Sequence, residues 1–427
     1  MLKYKYTARW PSGKAAVCKT AIRGFDSRPR LNSLYTENPM KTSRLAQSIK
    51  QSATLKLNEL ANSLKAEGKA VIHLGGGEPA EKIPSGAAEA SRKMLDAGYV
   101  RYTPSSGTAA LKKEISIYTD RYYGVKPEKS NIVVSSGAKQ AIYNFLLAAL
   151  DPGEEVIFPA PYWVSYPEMV KLAGGVPVVL EPEKGSLVVA PERFVAAITA
   201  KTRAILLNSP NNPSGQIYPY ETIKEIVRIC EKKGIYLVMD DIYNRLVFDG
   251  NKAPSAFSFS DLPLDSSYIV SINGVSKTFA MTGYRIGWSI ANGDLTKAMT
   301  KIQAQVSSCP SALSQEAAAG ALREKGDFVE NLRSSLEKKR DLIVRELLKL
   351  KKIKLHKPQG TFYSFADFSD YEKDSRKLSA VLLEKALVAA VPGAEFGMEG
   401  HLRLSYCGRE EDIIEGIAHI KKVLDGK

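Results

Sequence analysis

Ser276-Lys277-Thr278-Phe279-Ala280-Met281-Thr282-Gly283-Tyr284-Arg285-Ile286-Gly287 follows the apolar run 268–272 through Asn273-Gly274. A lysine just past a buried strand loses pKa by desolvation, so its amine can form a Schiff base. An arginine eight residues on can take a phosphate dianion in two parallel hydrogen bonds. A lone lysine is ordinarily a solvated surface group; the whole stretch is far more specific than that.

Strand-like runs occur at 132–134, 156–158, 176–180, 204–207, 235–239, 268–272 and 286–290. Several are continuously apolar, as strands buried on both faces are. Helical patterns lie between many of them, at 139–150 and 220–233 for example. The alternation predicts an α/β domain with a mostly parallel, seven-stranded sheet. Upstream, Leu57, Leu60, Ala61 and Leu64 write one face of a helix that Gly68 ends. The run 71–74 and Gly75-Gly76-Gly77-Glu78-Pro79 follow. Downstream, 326–350 reads as a long charged helix. The C-terminal part mixes strands (362–365, 401–405) with helices (375–389, 410–424), a smaller α/β domain. The expected division is a segment 40–87 that joins the small domain, a large domain 88–322 and a small domain 323–427.

The chain has 427 residues and a net charge of +14, with 44% hydrophobic and 25% charged residues. Those proportions exclude a collagen-like, disulfide-scaffold or wholly disordered chain. Residues 1–39 carry a net +6, leaving +8 spread over 388 residues. That segment mixes Pro, Gly, Arg and Ser without periodicity, and Gly24-Phe25-Asp26-Ser27 is what the T-arm of a tRNA gene gives when read in frame. It is expected to be a non-native or disordered extension, with the protein starting at Met40. Cys18, Cys230, Cys309 and Cys407 are far apart and form no CxxC pair, so neither a disulfide framework nor a metal site is expected. No apolar run reaches the ~18 residues of a membrane helix, and no signal peptide is seen, so a cytoplasmic protein is expected.

Other strand ends carry polar groups. Asp240-Asp241-Ile242-Tyr243 follows 235–239, and Asn208-Ser209-Pro210-Asn211-Asn212-Pro213-Ser214-Gly215 follows 204–207. Ser135-Ser136-Gly137-Ala138-Lys139 opens a helix, whose free N–H groups suit a phosphate. Pro161-Tyr162-Trp163-Val164-Ser165-Tyr166-Pro167 concentrates aromatic residues. Taken singly, these read as solvated turns and core aromatics.

Together, from about Lys50 to the C-terminus, they resemble the fold-type I pyridoxal-phosphate (PLP) aminotransferases of class I/II, the aspartate aminotransferase family, and within it the bacterial aspartate/prephenate branch. The resemblance implies PLP as cofactor, held as a Schiff base on Lys277, whose amine also shuttles the substrate proton. It implies Asp240 at the pyridine nitrogen, Tyr243 and Asn212 at the phenolic oxygen, and Trp163 stacked on the ring. The N–H groups of Gly137, Ala138 and Lys139 would bind the phosphate with Ser276 and Arg285. Many members have a serine three residues before the lysine; Gly274 here implies one phosphate hydroxyl fewer. Tyr102 would reach the phosphate of a partner subunit, which implies a homodimer with shared sites. Pro358-x-Gly360-Thr361-Phe362 also fits the family's C-terminal domain.

For substrate, the resemblance assigns the α-carboxylate to Arg403 and the Gly77 N–H, alongside Trp163 and Asn212. It assigns the side-chain carboxylate to Ser52, Thr54 and Lys139. The expected reaction is L-aspartate plus 2-oxoglutarate to oxaloacetate plus L-glutamate. Lys50 matches a residue tied to prephenate use, but Gln51 stands where proline is frequent. Prephenate, alanine or aromatic amino acids are the alternative substrates. A PLP-sensing transcription regulator would need a winged-helix domain ahead of Met40, where only 39 irregular residues stand. With the basic excess matched to small anions, no nucleic-acid or membrane partner is expected.

Overall fold

A computed structural model describes residues 42–51 and 53–426, without the side chains of Ala53 and Thr54. The expected extension 1–39 lies outside them. The described residues up to Ser48, which include the short helix Arg44–Ser48, form a unit of their own. All the elements that follow belong to the unit from Ile49 onward.

Its strands are β1 (Ile72–His73), β2 (Ile132–Ser135), β3 (Glu155–Pro159), β4 (Val176–Leu180), β5 (Thr202–Asn208), β6 (Tyr236–Asp240), β7 (Ile269–Gly274), β8 (Gly287–Ile290), β9 (Tyr363–Asp367), β10 (Val388–Ala389), β11 (Val391–Pro392) and β12 (His401–Ser405). Seven of them form one sheet in the order β2-β8-β7-β6-β5-β3-β4. β8 is reversed and pairs antiparallel with both β2 and β7, while the other pairs in the sheet are parallel. The seven expected strands are all present.

The apolar runs are continuous because each face of this sheet has its own core. Ile205, Leu207, Leu237, Met239 and Ile269 enter one hydrophobic cluster. The alternate residues Ala204, Leu206, Val238, Val270 and Ile272 enter another. A two-residue side-chain period thus divides one apolar strand between two layers of helices. Helix Tyr220–Lys233 buries Ile223, Ile226, Val227 and Cys230 against the first, at helical spacing, and stops at Gly234 in a left-handed conformation.

A second body of structure surrounds the antiparallel sheet β11-β12-β9. Its core takes residues from helix Phe328–Leu347, helix Glu410–Asp425 and β12, together with Ile242, Tyr243 and Leu246. β1 pairs in parallel with β10, which attaches the segment after Gly68 to this part. The expected helix 375–389 is shorter. It is α-helical at Ser375–Val381, widens to a π-turn at Leu382–Ala386 and ends where Leu387 takes φ 54. Val388 and Ala389 then serve β1 as its pairing partner, a tertiary demand the helical pattern does not encode. In helix Ala53–Ala66, Leu57 and Ala61 are buried as expected, but Leu60 is 49% exposed and lies off the packed face.

Candidate active site

In the parallel part of the sheet, the strands deliver polar residues at their C-terminal ends, where α/β folds bind ligands. Asn208 ends β5 and is in register with Asp240, which ends β6; Asp240 is paired with Ile272 on β7, five residues before Lys277. A cavity of about 700 Å³ opens there. Gly77, Ala138, Lys139, Trp163, Asn212, Asp240, Tyr243, Ser276, Lys277, Arg285 and Arg403 all line it, so most of the expected residues come together.

Lys277 is partly buried and donates from Nζ to the carbonyl of Gly77 at 2.5 Å. Burial, only partly offset by nearby Glu78 and Cys407, lowers its pKa to about 8. Asp240 is 4% exposed. Its Oδ2 accepts from the Tyr166 hydroxyl at 2.6 Å and its Oδ1 from the Ile242 N–H at 3.4 Å. Desolvation nevertheless raises its pKa to about 6. Asp241 points elsewhere, accepting from Ser271 Oγ at 2.7 Å. Tyr243 is buried, with its hydroxyl 3.4 Å from that of Tyr363.

The turn after β5 is held from within. Asn208 donates to the Asp240 carbonyl and accepts from the Asn212 N–H, both at 2.7 Å. Asn212 Oδ1 in turn accepts from Arg403 Nη1 at 3.0 Å. Arg403 is 2% exposed and also donates from Nη2 to Gly75. It lies over the Tyr363 ring at 4.3 Å. Its Nε is buried with no hydrogen-bond partner among the described residues.

The turn before helix Ala138–Ala149 is shaped by glycine. Gly137 has φ 90, and a Cβ there would sit 2.7 Å from the Arg285 guanidinium. At Gly287 a Cβ would meet the Ala138 nitrogen at 2.3 Å, so β8 and the helix start touch backbone to backbone. The Gly137 N–H donates to Ser135 at 2.7 Å, which corrects its expected role: it is committed within the turn, and Gly137 contributes by lacking a side chain. The N–H groups of Ala138 and Lys139, at the first two helical positions, have no carbonyl one turn earlier to bond. Lys139 Nζ stands 4.9 Å over the Trp163 ring. Burial first, and then Arg285, lowers its pKa. Among the described residues, Lys139, Lys277, Arg285 and Arg403 form no ion pair with a carboxylate. Two free N–H groups, a guanidinium and a hydroxyl around a side-chain-free turn are a donor set that fits a phosphate dianion. Gly274 also has a structural reason: a Cβ there would meet the Ile286 carbonyl at 2.7 Å, so a serine could not replace it without backbone movement.

Tyr102 lies outside this cavity and is 91% exposed, beside Val100, Arg101 and Cys309. Ser52 and the Thr54 side chain lie outside the described residues. Lys50 is exposed, and its backbone N–H bonds Glu168. Tyr166 and Tyr363 are site residues the sequence reading did not single out. Both stand in motifs it quoted or one residue beyond, and a buried tyrosine needing a partner for its hydroxyl was the available signal.

A family model for aminotransferase class I and II matches residues 69–420. An aspartate aminotransferase of Geobacillus stearothermophilus is 39% identical over 91% of this chain and 100% of its own length. An aspartate/prephenate aminotransferase of Thermus thermophilus is 38% identical over 90% of this chain and 98% of its own. A solved Thermus thermophilus aspartate aminotransferase with maleate superimposes with a TM-score of 0.86 at 37% identity, covering 90% of this chain and 100% of that one. One from Rhizobium meliloti gives 0.86 at 35%, covering 91% and 99%. With fold, motif order and site geometry in agreement, this chain belongs to the class I and II aminotransferases, which use pyridoxal 5'-phosphate.

Proposed function

We propose that this aminotransferase exchanges L-aspartate and 2-oxoglutarate for oxaloacetate and L-glutamate. The observation that carries the reading is that, of the four cavity cations with no acidic partner among the described residues, two remain once Lys277 and Arg285 serve the cofactor: buried Arg403 on β12 and Lys139 at the first turn of its helix. A dicarboxylate substrate meets both, and a neutral amino acid only one. The relatives named above as aspartate aminotransferases support the same substrate.

Bound pyridoxal phosphate supplies an electron-withdrawing ring that takes up the electron pair left when the substrate loses its α-proton. Lys277 tethers the cofactor and, with an amine that titrates near neutrality, accepts and returns that proton. Arg403 binds the α-carboxylate through its planar guanidinium, assisted by the Gly77 N–H. Asp240 would hold the ring nitrogen, its negative charge keeping that nitrogen protonated. Tyr243 and Asn212 would donate toward the phenolic oxygen, and Trp163 would cover the ring. Arg285, Ser276 and the N–H groups of Ala138 and Lys139 hold the phosphate. Ser52 and Thr54 join Lys139 at the distal carboxylate.

The working unit in this reading is a large domain, 88–322, and a small domain built from 40–87 and 323–427. It is a cytoplasmic homodimer in which Tyr102, exposed and outside its own cavity, completes the partner's phosphate site. No helix among the described residues is long and apolar enough to cross a membrane.

The test is the half-reaction with single amino acids, followed by cofactor absorbance. Aspartate and glutamate should convert the cofactor far faster than alanine, phenylalanine or the prephenate-derived amino acid. Equal conversion by alanine would overturn the specificity.

A further inference from the structure

Asp240 is surrounded by little that would keep a carboxylate charged. Asp241, beside it, turns away to Ser271, and Tyr243 is a neutral phenol that burial keeps protonated. Among the described residues, Lys277 is the one cation whose charge favours the ionised form, and its own pKa has fallen to about 8. The strong contact is Tyr166, whose hydroxyl donates to Asp240 Oδ2 at 2.6 Å.

Tyr166 opens helix Tyr166–Leu172 and is 2% exposed. Its ring is wedged edge-on between Trp163, at 5.5 Å between centroids, and Phe158, at 6.0 Å. The ring therefore has no freedom to take its hydroxyl elsewhere. Burial keeps the phenol protonated, so it acts as a fixed donor.

We infer that Tyr166 is a positioning residue of the reaction, its hydroxyl aiming the Asp240 carboxylate and holding it charged, an inference that rests on the reading of Asp240 given above. The physical reason is that a buried acid accepting a short, charge-assisted hydrogen bond ionises more readily than the same acid without it. Asp240 is then available as an anion near neutral pH although it is out of water. Trp163 and Tyr166, three residues apart on one turn, thus both serve the cofactor ring. Trp163 covers its face; Tyr166 acts on it through Asp240.

Tyr166→Phe keeps the ring and removes the donor. Losing one hydrogen bond to a charged group should move the acid limb of the kcat profile, and the pH midpoint of cofactor absorbance, upward by about one unit. PLP should dissociate about tenfold more readily, with the KM for aspartate changed less than about two-fold. Site-specific 3-fluorotyrosine at position 166, a stronger donor of nearly the same shape, should move the midpoint the other way. That second variant tests the idea even if Tyr166→Phe folds poorly. In an Asp240→Asn background the Tyr166→Phe change should add less than about two-fold. If Asp240→Asn impairs turnover and PLP binding but neither Tyr166 variant shifts the midpoint or the PLP Kd, the inference is overturned and the reading of Asp240 stands. If Asp240→Asn itself leaves both unchanged, the reading of Asp240 is overturned, and the inference with it.

Discussion

Arg403 donates from Nη1 to Asn212 Oδ1 at 3.0 Å, joining two residues 191 positions apart. The same guanidinium reaches Gly75 through Nη2, so one side chain gathers three segments. Arg403→Lys keeps the charge and loses the fork. With hydrogen bonds to a charged group each worth about 1.5–3 kcal/mol, kcat/KM for aspartate should fall about 10²–10³-fold. Steady-state kinetics with both dicarboxylate and neutral amino acids would check this; the loss should be common to all of them, since all share the α-carboxylate.

Lys277→Ala should abolish turnover, by more than about 10⁴-fold, because tether and proton shuttle are lost together. Borohydride should no longer fix PLP to the chain. Mass spectrometry after reduction reads this directly, and retained turnover would refute the assignment.

Asp240 gives a stability prediction with a definite sign. Its folded-state pKa of about 6 lies above the ordinary 3.8, because burial penalises its charge. The folded, cofactor-free protein therefore binds this proton more tightly than the unfolded chain. The contribution of this group to stability is present at low pH and is lost as pH rises through 3.8 to about 6. Asp240→Asn should stabilise the cofactor-free protein at pH 7.5, by about 2–3 kcal/mol. The gain should vanish towards pH 4. Melting curves at the two pH values decide it.

Gly287→Ala should destabilise the fold and weaken the phosphate site together. The new methyl would lie 2.3 Å from the Ala138 nitrogen, and only backbone could yield. Overpacking of this kind costs about 1–3 kcal/mol or more. A lowered Tm and a raised Kd for inorganic phosphate are expected; an unchanged Kd would show that the turn adapts freely.

Arg340 is fully buried, with its two terminal nitrogens 2.8 and 2.9 Å from the Asp249 carboxylate. It also donates to Pro358, ahead of the turn that leads to Tyr363. Asp249→Asn removes the carboxylate that accepts from both terminal nitrogens, leaving Asp341 beside Nε and Glu337 3.6 Å from Nη2, and should lower stability by about 1 kcal/mol. Asparagine tolerates the left-handed backbone at this position, φ 55, so the effect isolates the charge. Chemical denaturation measures it.

The sheet and the lysine turn are legible in the sequence because they are local. Continuous apolar runs mark doubly buried strands, and the polar residues that end β5 and β6 stand next to them in the chain. What is not legible depends on contacts between distant segments. The hydroxyl of Tyr166 finds Asp240 from 74 positions away, and Val388 becomes a strand because β1 needs a partner. Gly137 belongs to a phosphate-type turn in sequence, but only its bond to Ser135 reveals that its own N–H is committed.

The backbone contact between Gly287 and the start of helix Ala138–Ala149 has one more consequence. Side chains can swap rotamers, and a cradle walled by them changes width with every swap. Here the spacing between the two halves of the anion cradle is a dimension of the main chain itself. Strand and helix can move only as a joined piece, so the cradle behaves as a gauge of one fixed aperture. It selects its ligand by fit and not only by charge, because the contact that sets its outline leaves the main chain no slack.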